Sequence, residues 1–167
     1  MTIQIGDRLP EATLSESTQF GDACPLSPAP VSVTEATRGK RVVVFGLPGA
    51  YTPTCSAQHV PGYVTHRESL AAKGVDEIWC VSVNDGFVMA AWGQQLGALG
   101  KVRMLGDGSA DFTKKLGLEL DLTPFGMGLR MQRFSMLVED GVVRQLFIEK
   151  PQKFEVSNAE TMLSALG

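Results

Sequence analysis

The stretch PGAYTPTC, residues 48 to 55, follows directly on the apolar run VVVFGL (42–47). A run of that length and composition reads as a buried strand, and the prolines, glycine and threonines after it read as a tight strand-to-helix turn. Helix-start rules put Thr52 at the N-cap and Pro53 at the first helical position, where its missing N–H costs nothing. Cys55 then falls at the third helical position. There the unpaired backbone N–H groups and the positive end of the helix dipole favour a negative sulfur.

An ordinary thiol, with a pKa near ~8.5, is only about 3% thiolate at pH 7. A helix N-terminus together with a nearby cation brings that value to roughly 5–6, which makes the sulfur a nucleophile. The segment GLRMQRFS (128–135) offers the cation, because Arg130 and Arg133 stand at the head of a strand reading FSMLVE (134–139). An arginine stays charged and presents several donors, so it can hold a thiolate and an oxygen-rich substrate together. The residues by themselves leave a plainer alternative open, with Cys55 a small buried hydrophobe, Thr52 a simple cap and the arginines surface charges.

Working outward, RVVVFGL (41–47), EIWCVSV (77–83), VRML (102–105), FSMLVE (134–139) and VVRQLFIE (142–149) are rich in Val, Ile and Phe and read as strands. The last two flank Asp140-Gly141, a strong hairpin signal. Helical stretches are expected over about 53–73, 85–97 and 109–116. A final one at 158–166 places Ala159, Met162, Leu163 and Leu166 on one stripe. The Pro-rich CPLSPAP (24–30) reads as a surface loop. Strands and helices alternating, then a hairpin and a helix, imply one α/β domain over residues 1–167, a mixed sheet covered on both faces.

The chain has 167 residues, 44% hydrophobic and 20% charged, with a formal net charge of −3. That balance argues against nucleic acid or an anionic membrane surface as a partner, since both need basic patches. MTIQIGDRLP shows neither the basic nor the apolar region of a secretory signal, so a cytoplasmic location is expected. Three cysteines, Cys24, Cys55 and Cys80, are too few for a disulfide scaffold. In a reducing compartment such thiols are buried hydrophobes or reactive groups. Cys55 and His59 form a Cys-x3-His pair, but two ligands do not make a metal site, and none is expected.

Pro48-x3-Thr52-x2-Cys55 matches the P-x3-T-x2-C motif of the peroxiredoxins. The segments 45–64, 73–93 and 133–143 resemble the type II, or five-like, branch in order and in detail, and the likeness runs from IGDRLP (5–10) to the C-terminal helix. The resemblance implies a thioredoxin-like fold and a peroxidatic Cys55 whose thiolate attacks a peroxide and becomes a sulfenic acid. It implies that Thr52 hydrogen-bonds the peroxide, that Arg133 binds thiolate and peroxide, and that Pro48 shields the sulfur. Arg130 matches a recurrent arginine of the branch and counts as support, while His59 is expected to pack or hydrogen-bond beside the pocket.

The sulfenic acid must then be resolved by a thiol. The C-terminal route used by some five-like members is absent, since no cysteine follows Cys80. Plant members of the branch carry a resolving cysteine at the spacing of Cys80, but a cysteine in the middle of EIWCVSV is expected to be buried, and Cys24 is expected to be an idle surface thiol. The resemblance therefore favours an external thiol, glutathione with or without glutaredoxin, over thioredoxin, with no cofactor, and a homodimer as the usual assembly. Two other functions compete. A thiol–disulfide oxidoreductase is disfavoured because Cys55 has no C-x-x-C partner. A non-cycling peroxide sensor would react once and not turn over.

Overall fold

The computed structural model describes residues Met1–Gly167. In chain order it has strands β1 (Thr13–Glu16), β2 (Gln19–Phe20), β3 (Pro25–Leu26) and β4 (Ala29–Ser32), helix α1 (Val33–Thr37) and strand β5 (Arg41–Gly46). A π-helical turn (Cys55–His59) leads into α2 (Val60–Thr65) and α3 (Arg67–Ala72), followed by β6 (Glu77–Ser82), α4 (Gly86–Gln95), β7 (Arg103–Gly106) and α5 (Asp111–Leu116). Strand β8 (Glu119–Leu122), a short 3-10 turn (Thr123–Phe125), β9 (Gly128–Met131), β10 (Phe134–Glu139), β11 (Val142–Ile148) and α6 (Ala159–Ala165) complete it.

Seven strands form one sheet in the order β11-β10-β5-β6-β7-β1-β4. The central three run parallel, and β10, β11, β1 and β4 pair antiparallel at the flanks. This is the expected mixed sheet, and its alternation explains the continuous apolar strands. In β5, Val42 and Val44 face one core with Trp79, Leu105 and Phe112, while Val43 and Phe45 face the other with Tyr63, Trp92 and Met162. A strand buried on both sides must be apolar at every position rather than at every second one. Helices α2, α3, α4 and α6 cover the second face, and α5 the first. Ala159 and Met162 are fully buried there, with Leu163 and Leu166 packed against the same core. The Asp140-Gly141 hairpin has both residues at positive φ, 48° and 79°, as a tight turn between twisted strands requires.

Two expectations need correcting. The segment 24–30 is not wholly loop, because β3 and the start of β4 lie within it, and β4 forms the far edge of the sheet through β1. Short edge strands carrying Pro25 and Pro30 lack the Val- and Ile-rich signature of central strands, since an edge tolerates a missing donor. Residues 53–73 are also not one helix. Pro61 has no N–H to offer the Ala57 carbonyl, and the chain widens just before it, with the Val60 N–H donating to the Cys55 carbonyl. A second break falls at His66, between α2 and α3.

Candidate active site

The turn after β5 is built to hold one sulfur still. The Thr52 carbonyl accepts from the Ser56 N–H at 3.0 Å, so the helix begins as expected, with Cys55 third in it. The hydroxyl of Thr52 behaves differently from the expected cap. It donates to the Gly49 carbonyl at 2.8 Å and receives no backbone N–H. Its lone pairs are therefore left for an incoming O–H. The loop is tied down from two further directions. Asn84 accepts from the Ala50 N–H at 3.0 Å, and its own position is set by the Ser82 hydroxyl. Arg130 donates to the Met127 carbonyl at 2.8 Å and to the Pro48 carbonyl at 3.2 Å, so it braces the turn rather than touching the sulfur. A Cβ on Gly49 would come within 2.7 Å of the Arg130 guanidinium, so a side chain there would have to push that arginine aside. Tyr51 sits at φ 63°, backbone strain localised beside the reactive group.

Cys55 is fully buried, and Arg133 Nη2 donates to its Sγ at 3.1 Å. Arg133 stands immediately before β10, whose Phe134 pairs with Gly46 at the end of β5, so the sheet register brings the arginine to the mouth of the turn. The other arm of the guanidinium, Nη1, donates to His59 Nδ1 at 2.8 Å. His59 Nε2 lies 3.1 Å from the Ser157 carbonyl, which also accepts from the Tyr63 hydroxyl at 2.9 Å. A carbonyl only accepts and a guanidinium only donates, so His59 must be the neutral tautomer with its proton on Nε2. Phe154 lies 5.6 Å over the Arg133 guanidinium and packs at 4.9 Å from the His59 ring. The remaining guanidinium donors are free for a peroxide oxygen.

Burial, with the Arg133 charge adding to it, pushes the pKa of His59 down to about 3. Between that value and the ordinary one near ~6.5, the unfolded chain binds a proton that the folded chain refuses. Stability therefore falls as the pH drops through this window, by at most about 1.4 kcal/mol per unit from this group. Urea midpoints measured at pH 7, 6 and 5 are expected to decline in the wild-type protein and to decline less steeply in His59→Phe. Equal slopes would contradict a neutral buried His59.

The other sulfurs are placed as expected. Cys80 is fully buried in β6, and burial, with Cys55 adding, pushes its thiol well above the ordinary range. Cys24 is exposed on the turn between β2 and β3, and all three cysteines are free. Of the residues named from sequence, Cys55, Arg133 and His59 meet directly. Thr52 and Pro48 frame the turn, Arg130 supports it from behind, and Cys80 lies in the core beneath. Sequence reasoning missed Asn84, Phe154 and Ser157. Ser157 acts through its backbone carbonyl, which carries no residue-type signal, and the other two lie in segments far from the turn in the chain.

The Redoxin family profile matches residues 4–163. Peroxiredoxin-2E, chloroplastic, of Arabidopsis thaliana is 47% identical over 167 residues, covering 99% of this chain and 70% of that protein. Peroxiredoxin-2B of the same plant is 46% identical over 164 residues and 98% of both chains. Reduced Prx3 of Vibrio vulnificus, solved in complex with hydrogen peroxide, aligns with a TM-score of 0.92 and 51% identity over 99% of this chain and 100% of that one. The fold is accordingly thioredoxin-like, and a chain so matched along its length belongs to the peroxiredoxin family, on its type II branch, with the peroxidase chemistry of that family.

Proposed function

We propose that the protein reduces hydrogen peroxide and small organic hydroperoxides at Cys55 and is recycled by glutathione, directly or through glutaredoxin. The observation that carries the first half is the forked contact of Arg133, one arm on the Cys55 sulfur and the other on His59. In the reaction the thiolate attacks the nearer peroxide oxygen as the O–O bond breaks. The sulfur is oxidised to sulfenic acid, and the leaving oxygen takes a proton and departs as water or alcohol. Charge growing on that oxygen is met by preorganised guanidinium donors, and the Thr52 lone pairs orient the O–H of the peroxide.

For the second half, a thiol attacks the sulfenic sulfur, water leaves, and a mixed disulfide forms. A second thiol then releases Cys55 and carries away the oxidised pair. The buried, elevated thiol of Cys80 is a poor nucleophile for that step, which supports an external donor. A cavity of about 340 Å3 beside the site is lined by Pro48, Thr54, Arg133 and Phe154 and by Lys150 and Lys153, whose two charges with that of Arg133 exceed the single Glu149 carboxylate there. Two ammonium groups there suit a small thiol bearing carboxylates.

Mass spectrometry of the protein after peroxide and then glutathione is the test. A glutathione adduct on Cys55 is expected, and a Cys55–Cys80 bond would favour thioredoxin as the reductant instead. The same reading includes a cytoplasmic homodimer. Exposed Tyr51, Phe87 and Phe125 are the apolar side chains that such an interface would cover, and sedimentation velocity decides it.

A further inference from the structure

Glu149 follows β11 and is buried, yet its partners are all neutral groups of one short segment. A single carboxylate oxygen, Oε2, accepts from the backbone N–H groups of Glu155 and Val156 at 2.8 Å and of Ser157 at 2.7 Å, and from the Ser157 hydroxyl at 2.7 Å. Four donors on one atom need a group that only accepts, and a negative charge makes each bond stronger than its neutral counterpart. Burial works against the carboxylate's charge, but the hydrogen bonds from Glu155, Ser157 and Val156 outweigh it and hold its pKa below the usual range. Glu149 is also tied to the active-site arginine through the main chain, its N–H donating to the Arg133 carbonyl at 2.9 Å.

The clasped segment is the one that closes the site. Its Ser157 carbonyl accepts from His59 Nε2 and the Tyr63 hydroxyl, and its Phe154 ring covers the Arg133 guanidinium. His59 in turn accepts from Arg133 Nη1, which leaves Nη2 aimed at the sulfur. The carboxylate is the acceptor that gathers three consecutive residues, 155 to 157, at one point. Without the carboxylate, the N–H groups of Glu155, Val156 and the buried Ser157 lose the acceptor they share, and the Ser157 hydroxyl loses its own.

We propose that Glu149 is a positioning residue for the peroxide reaction. By gathering residues 155–157 onto its carboxylate, it seats the Ser157 carbonyl and Phe154 against His59 and Arg133, and so aims the guanidinium at Cys55. This rests on the reading of Arg133 as the cation that serves thiolate and peroxide. Displacement of a reacting group by about 1 Å can cost on the order of 100-fold in rate.

The experiment uses the full chain and two independent readouts. The first is the ultraviolet titration of the Cys55 thiolate in the reduced protein, which reports the placement of Arg133 without any turnover. The second is the second-order rate constant with hydrogen peroxide. Glu149→Ala is expected to lower that constant about 10- to 100-fold and to move the thiolate titration to higher pH. Glu149→Gln keeps an acceptor at the same place without the charge, and is expected to fall between Ala and wild type on both readouts. Because Glu149 acts through His59, Glu149→Ala combined with His59→Phe should be no more than about threefold slower than the slower single variant.

A titration and a rate constant for Glu149→Ala within about twofold of wild type would overturn the proposal, as would fully multiplicative losses in the double variant. Should the alanine variant not fold, Glu149→Gln decides, and wild-type values on both readouts count against the proposal. A wild-type protein that did not reduce peroxide at all would instead strike the functional reading, leaving the titration result to stand.

Discussion

Replacing Cys55 with serine abolishes peroxide reduction, both in turnover and in a single stoichiometric reaction. A serine hydroxyl is not appreciably ionised at neutral pH and lacks the polarisable sulfur, so no group remains in line with the O–O bond. The loss is expected to exceed about 1,000-fold, since removing a covalent nucleophile costs up to about a million-fold in rate. The fold should survive, because the side chains are similar in shape and Arg133 can donate to an oxygen as it does to sulfur. Cys24 and Cys80 remain in this variant, and neither substitutes. Cys24 lies on an exposed turn, and the thiol of Cys80 is sealed in the core and pushed up by burial. Loss of peroxide from the reduced Cys55→Ser protein at more than a trace of the wild-type rate would refute the assignment of the nucleophile.

Arg133→Ala is the second large effect, and its size separates two roles. Removing the cation takes away the guanidinium that faces the Cys55 sulfur at 3.1 Å. Loss of ionisation has a ceiling, because an ordinary thiol is still about 3% ionised at pH 7, so that role by itself accounts for no more than roughly 30-fold. Losing donors to the leaving oxygen costs on the order of a further 100- to 1,000-fold. A combined fall of more than about 1,000-fold is therefore expected in the rate constant with peroxide. Part of it is recoverable by raising the pH, which restores thiolate but not the donors. A variant whose rate constant at high pH matched wild type would show that Arg133 serves ionisation only. Arg133→Lys keeps a charge but not the fork that reaches Cys55 and His59 together, so it should fall between the two. The alanine variant also leaves the buried Nδ1 of His59 without its donor, a cost to stability of about 1–3 kcal/mol.

The site was legible from sequence to different depths. PGAYTPTC placed Cys55 at a helix start because proline and threonine have strong positional preferences there, acting over three or four residues, and the match to the family motif then made it the nucleophile. Thr52, Pro53 and Cys55 take the helix positions assigned to them. The role of the Thr52 hydroxyl did not follow, because the same oxygen can cap a helix or donate backward to Gly49, and only the loop's path chooses between them. The helical expectation over 53–73 failed at Pro61 and His66 for a related reason. Apolar periodicity continues across a break that backbone hydrogen bonding does not.

What the sequence by itself determined was local. Apolar strands identified a sheet buried on both faces, the turn residues placed the sulfur at a helix start, and the motifs matched a family. Only the tertiary structure decided how distant segments converge. Pairing of β10 with β5 carries Arg133 to the sulfur across 78 positions of chain. The return of residues 149–157 over the site makes His59 a neutral acceptor and Glu149 a clasp. Local preferences arise from each residue's own backbone and side-chain sterics, and so can be read one segment at a time. The aim of a guanidinium depends on every hydrogen bond that limits its freedom, and those partners become neighbours only when the sheet has formed.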